Sequence, residues 1–167
     1  HDFDVRNAKK MLQLLCILAA NVPFKPNLSQ LAEKSQIHRN TVNSYLHFLE
    51  QGRLIRLLYP AGNSVATLQK PEKIYLDNTN FAYALAGGIP DKGNLRETFF
   101  LNQVAAAHAV NYASQGDFLV DNKWTFEVGG RNMDTKQVRQ VSNSFVVVDD
   151  TEYPTSALPL WLFGFLY

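Results

Sequence analysis

Three carboxylates, Glu97, Asp117 and Glu127, stand in an order that metal-dependent phosphodiester chemistry could use. Asp117 opens the stretch Gly116-Asp117-Phe118-Leu119-Val120, and Glu127 lies within Trp124-Thr125-Phe126-Glu127-Val128, with Asp121-Asn122-Lys123 as a turn between them. A hairpin over this region would set Asp117 and Glu127 on adjacent strands, and a preceding helix could bring Glu97 toward them. Oxygen ligands of this kind suit a hard divalent cation such as Mg²⁺, which would orient a water and neutralise charge developing on a phosphate. Asp117 and Glu127 are therefore the candidate metal ligands, and all three are candidate catalytic residues. The same chemistry wants a lysine two residues beyond the second carboxylate, where the chain reads Glu127-Val128-Gly129. Glycine cannot replace an ammonium group, and Arg131 and Lys136 both fall beyond the required position, so a degenerate domain is expected. Plainer roles compete with the catalytic one: Glu97 favouring a helix N-terminus, Asp117 following a turn glycine, Glu127 facing solvent.

A second set of polar residues points to nucleic acid. Between His38 and His47 the chain reads His38-Arg39-Asn40-Thr41-Val42-Asn43-Ser44-Tyr45-Leu46-His47. On a helix that buries Val42, Tyr45, Leu46 and Leu49, the outward face carries Arg39, Asn40, Thr41, Asn43, Ser44 and His47, donors and acceptors able to reach phosphates and base edges. Arg39 and Asn43 are the leading readers. The competing reading makes Asn40 and Thr41 helix caps on a merely solvated face. Arg53, Arg56 and Lys70 follow, where they could add phosphate contacts.

The elements that must position these residues can be traced along the chain. Residues 5–20 place Leu12, Leu15, Cys16 and Ala19 at helical spacing. Leu28, Leu31 and Ala32 mark a second helix, Ser35-Gln36-Ile37 a break, and Val42 to Leu49 a third helix, together a helix-turn-helix with Gln36 where the turn usually has glycine. A left-handed residue there would be strained. Leu54 to Tyr59 reads as a strand, Pro60 to Asn63 as a turn and Ser64 to Gln69 as the returning strand of a wing. Beyond residue 73 come a short strand at Ile74 to Leu76, a helix through Phe81 to Leu85 capped from Asp77-Asn78-Thr79, and a long helix over residues 94–113 with Glu97 in its first turn. The hairpin, a basic helix over residues 134–141 and a buried strand at Ser144 to Asp149 complete the order. The apolar end, Pro159 to Tyr167, is expected to close the core; exposed, it would be an oligomer contact. The expected fold is thus α/β of the α+β kind, with a winged helix-turn-helix over residues 1–73 and a small mixed-sheet domain over residues 74–167.

Composition narrows the classes. No apolar run approaches the roughly 20 residues that a transmembrane helix needs, and no signal-type segment opens the chain. With the single cysteine Cys16 read as a core residue, a cytoplasmic home is expected, and the absence of an initiator Met suggests an excised piece. Residues 1–73 hold ten Lys and Arg against five Asp and Glu, whereas residues 74–167 hold six against ten. The first part is the candidate for polyanion contact. His1, His38, His47 and His108 lack metal-ligand spacing, no serine lies in a nucleophile elbow, and Gly87 to Gly93 lacks the spacing of a phosphate loop.

Ile37 to Leu46 with Leu49-Glu50, Lys73-Ile74-Tyr75-Leu76-Asp77, Gly93-Asn94-Leu95-Arg96-Glu97-Thr98-Phe99-Phe100, Asp117-Phe118 and Phe126-Glu127-Val128 occur in an order that resembles the C-terminal region of prokaryotic AAA+-type ATPases. The resemblance implies a winged helix followed by a restriction-endonuclease-like domain, in a protein whose ATP-binding module lies upstream. Only Glu97, Asp117 and Glu127 match that family's acidic positions. Gly129 stands where many members have lysine, and Gln115-Gly116-Asp117 where they often have Glu-Val-Asp. The expected partners are duplex DNA and the upstream ATPase domain, with self-association as a further expectation. The expected function is DNA binding and regulation with a degenerate nuclease-like domain; a Mg²⁺-dependent nuclease and a protein-docking module are the alternatives.

Overall fold

Three short helices open the chain, each begun by a side chain that accepts an otherwise unpaired N–H group. In the computed structural model, which describes residues 7–21, 25–62, 70–85, 87–130, 138, 140–154 and 156–166, Asn7 caps α1 (Ala8–Ala19) and Asn27 caps α2 (Leu28–Ser35). His38 caps α3 (Arg39–Gln51), its Nδ1 accepting from the Asn40 N–H at 3.4 Å. Gln36 ends α2 in the left-handed region at φ 52°, and the Ile37 N–H donates back to the Ala32 carbonyl at 3.0 Å. Lys10 of α1 reaches over to donate to the Gln36 carbonyl at 2.8 Å. Leu14, Leu18, Leu31, Ile37, Val42, Tyr45, Leu46 and Leu49 are buried.

A two-stranded sheet follows, made of β1 (Ile55–Leu58) and β2 (Lys73–Leu76). The Asp77 N–H donates to the Leu54 carbonyl at 3.0 Å. Helix α4 (Thr79–Leu85) comes next, with the Asn78 side chain accepting from the Asn80 N–H. The chain divides into two units, His1–Leu57 with Lys73–Pro90 and Leu58–Glu72 with Asp91–Tyr167. This partition and the expected boundary at residue 73 differ over residues 58–72 and 74–90. The strand paired with β1 is β2, which the sequence had suggested as the opening of the second domain. The expected return strand at residues 64–69 lies outside the described residues.

The second unit is built on a five-stranded sheet in the order β3 (Val110–Tyr112), β4 (Phe118–Val120), β5 (Trp124–Gly129), β6 (Ser144–Val148) and β7 (Leu158–Pro159). The first three strands are antiparallel neighbours, and β5–β6 and β6–β7 are parallel, so the sheet is mixed. The expected hairpin is present: Asp121 and Asn122 take positive φ, and the Lys123 N–H donates to the Val120 carbonyl at 3.0 Å. Asp and Asn tolerate left-handed backbone better than other non-glycine residues, which is why this short turn can form. Helix α5 (Lys92–Val104), capped by Asp91, packs on β5 through Phe100. The Phe100 ring lies 5.1 Å from Phe118, 5.0 Å from Phe126 and 4.7 Å from Phe163 between centroids.

Several expectations are corrected. Helix α5 starts at Lys92 and stops at Val104, so Glu97 falls beyond its first turn and residues 110–112 form a strand. The Asp121 carboxylate ends the helical path: its Oδ1 accepts from the Ala109 N–H at 3.0 Å and its Oδ2 lies 2.7 Å from His108 Nδ1. The His108 contact is the largest cause holding the Asp121 carboxyl below its ordinary pKa. Cys16 and Leu12 are exposed because α1 buries the face of Leu14, Leu15, Leu18 and Ala19. The expected basic helix over residues 134–141 falls largely outside the described residues. The apolar end docks in part: Leu160 is buried and Phe163 joins the Phe100 cluster, while Trp161 and Phe165 of the 3₁₀ helix Leu160–Phe165 are 48% and 68% exposed.

Two substitutions test this packing. Gln36→Gly should raise stability by about 0.5–1 kcal/mol in urea unfolding, because glycine adopts the left-handed turn without steric cost. Phe100→Ala should lower it by roughly 3–5 kcal/mol, the usual cost of emptying a fully buried aromatic site.

Candidate nucleic-acid interface

Helix α3 owes its orientation to its buried stripe. Val42, Tyr45, Leu46 and Leu49 are buried, so Arg39, Asn40, Asn43, Ser44, His47 and Gln51 are left exposed on the other side. Thr41 is half-buried. At 13 residues the helix is about 20 Å long by the usual rise per residue. A bare helix of that kind fits the major groove of duplex DNA, roughly 12 Å wide. Asn40 sits inside the helix and His38 is the cap, so Asn40 and Thr41 are not the caps that the plainer reading made them. Ser44 Oγ donates to the Asn40 carbonyl at 3.3 Å, leaving its lone pairs as outward acceptors.

The cations beyond α3 separate into two kinds. Arg53 and Lys70 are exposed. Arg56 is committed to the protein: its Nε lies 2.6 Å from Asp77 Oδ1, and the two side chains are 26% and 13% exposed. An arginine held this way is a poor phosphate contact, because its guanidinium is already engaged by a largely buried carboxylate. Glu50, in the last turn of α3, is also structural. Its Oε1 accepts from the Leu57 N–H at 3.0 Å and ties the helix end to β1. Burial raises the Glu50 carboxyl above its ordinary value and outweighs both that hydrogen bond and the nearby charges of His47 and Arg56.

The candidate carboxylates belong to the second unit. Asp117 lies beside β5: its N–H donates to the Phe126 carbonyl at 2.9 Å, and its Oδ2 accepts from the Val128 N–H at 2.9 Å. The carboxylate thereby takes a place in the strand ladder. Glu127 pairs with Val146 of β6, and strand alternation directs it to the face opposite Phe126. Since Phe126 packs on Phe100 of α5, Glu127 points away from the helix that carries Glu97. Glu127 thus lies in β5, and Asp117 immediately precedes the neighbouring strand β4. Among the described residues, no group of three or more His, Cys, Asp or Glu is arranged to hold a metal ion. Arg131 and Lys136 lie outside the described residues. A feature that the sequence did not signal is the ion pair between Arg96 Nε and Asp149 Oδ2 at 2.6 Å, 53 residues apart, which joins α5 to the end of β6. No helix among the described residues is long and apolar enough to cross a membrane.

Fold and surface define an α+β protein whose third helix offers a polar outward face. The chain belongs to the family described as Domain of unknown function (DUF8612), whose sequence model matches residues 2–92. Neither a curated protein nor a solved structure matches it.

The raised Glu50 carboxyl has a testable sign. A carboxylate whose folded pKa is raised costs stability when ionised, so the cost is present at neutral pH and vanishes as pH falls below the ordinary carboxylate value. Glu50→Gln, which keeps an acceptor for the Leu57 N–H, should therefore be more stable than the parent chain at pH 7. The two melting temperatures should converge near pH 4.

Proposed function

We propose that α1–α3 with β1–β2 act as a winged-helix module that binds duplex DNA through the outward face of α3, in a protein whose AAA+-type ATPase module lies upstream. The observation that carries the reading is the exposed row of Arg39, Asn40, Asn43, Ser44 and His47, set opposite a continuous buried stripe. That row combines one cation with amide and hydroxyl groups, the mixture that contacts phosphates and base edges together. The second unit then serves as a nuclease-like scaffold without cleavage activity. Asp117 supporting it through the Val128 N–H, and Gly129 standing where an ammonium would be needed, both favour that role. The ATPase partner rests on the ordered sequence resemblance. Cytoplasmic location and a restriction-endonuclease-like ancestry belong to the same proposal.

Fluorescence anisotropy of a labelled duplex titrated with the protein tests the reading. Binding should weaken steeply between low and moderate salt, because phosphate neutralisation releases counterions. Arg39→Ala should reduce affinity several-fold with no change in melting temperature. Absence of binding at low salt, or full affinity in the Arg39 variant, would favour a protein-docking role for the α3 face.

A further inference from the structure

The C-terminal end of α3 holds a side chain on a backbone state that disfavours it. Arg53 has a φ of 53°, in the left-handed region, where the Cβ of an L-residue crowds its own carbonyl. Helices that end this way ordinarily place glycine at this position. Here the glycine is one residue early: Gly52 has a φ of −73°, which any residue can adopt. Two backbone bonds lock the reversal, from the Arg53 N–H to the Glu50 carbonyl and from the Leu54 N–H to the Leu49 carbonyl, both at 2.9 Å. The strained conformation is therefore built into the helix end.

The Arg53 side chain is exposed and has no polar partner in the fold among the described residues. Arg56, three residues later, shows the contrast, since it is held by Asp77. Charge attraction to the negative end of α3 is an internal benefit, but a flexible lysine elsewhere in the last turn would supply it equally. Gln36 is left-handed as well, but Arg53 adds a positive charge with no partner among the described residues, a reason to look for an external contact. Its place fits one: Asn40, Asn43, Ser44, His47 and Gln51 form the exposed row of α3, and Arg53 follows directly beyond the helix end.

We propose that Arg53 is a backbone-phosphate contact of the duplex interface, held by its left-handed turn at the end of the helix that enters the groove. The inference rests on the duplex-binding reading and adds a division of labour. Arg53 fixes the register of α3 on the duplex without regard to sequence, and the α3 row supplies whatever base preference exists. It also removes Arg56 from the phosphate-contacting set.

The test compares Arg53→Gly, Arg53→Lys, Asn43→Ala and the parent protein in duplex anisotropy over a salt series, with melting temperatures measured alongside. Arg53→Gly relieves the left-handed strain and so should melt at the same temperature or a few degrees higher. Its affinity should fall several-fold and alike on duplexes of unrelated sequence, and its salt dependence should become shallower by about one counterion. Arg53→Lys should keep the parental salt slope, and Asn43→Ala should alter affinity unequally among sequences. An unchanged slope in Arg53→Gly while Asn43→Ala loses affinity would overturn the proposal and leave the duplex reading standing. A lower melting temperature in Arg53→Gly would overturn it too, since Arg53 would then be serving the fold. Absence of binding by the parent protein would remove both.

Discussion

Everything that α3 presents to solvent depends on one buried side chain next to one strained residue. Ile37 is only 6% exposed and follows Gln36 at the left-handed end of α2. Its insertion fixes the reversal between α2 and α3, and that reversal decides which stripe of α3 is inward. The neighbours are sized for it: Ser35 is fully buried, with its hydroxyl donating to the Leu31 carbonyl. Lys10 secures the turn from outside by taking the Gln36 carbonyl, one of the groups that a helix end leaves without a partner. A rotation of α3 by one residue, about 100° around its axis, would replace the polar row by Leu46 and Tyr45 and abolish the surface.

The second unit answers to a different constraint, the aromatic cluster around Phe100. Phe118, Phe126 and Phe163 meet that ring from two strands and the C-terminal 3₁₀ helix, and Phe145 extends the contact by stacking on Phe126 at 5.4 Å. Once Phe126 is committed to this side of β5, the pleat sends Glu127 to the other. The geometry of the candidate carboxylates is therefore a by-product of core packing. Asp117 illustrates the same economy, its side chain standing in for a strand carbonyl opposite the Val128 N–H.

Much of this was legible in the sequence, and the failures have identifiable causes. The α2 and α3 apolar stripes, the hairpin turn at Asp121-Asn122 and the strand character of β6 are local patterns that survive folding, although only Val147 and Val148 of β6 are buried. The end of α5 was not legible, because Ala105-Ala106-Ala107 favours helix, and what stops it is Asp121, 12 residues beyond the N–H group of Ala109 that it binds. Tertiary contact overrode propensity there. The buried face of α1 was ambiguous because apolar residues lie on both sides of it, Leu12 and Cys16 as well as Leu14 and Leu18. The pairing of β1 with β2 and the Arg96–Asp149 bridge join residues that no local spacing relates. Of the candidate interface, the α3 row was readable from its periodicity, whereas the commitment of Arg56 to Asp77 was visible only in three dimensions.

The five-stranded sheet ends in proline on both sides. At one edge β7 is two residues long and finishes with Pro159, and at the other Pro60 bridges Tyr112 of β3. Proline brings no N–H group to a ladder, and a two-residue strand offers little length on which another could be laid. A mixed sheet with an apolar, aromatic interior is otherwise a template for uncontrolled growth by edge-to-edge stacking. Among the described residues, the two prolines and the brevity of β7 leave little edge on which a second molecule's strand could be laid.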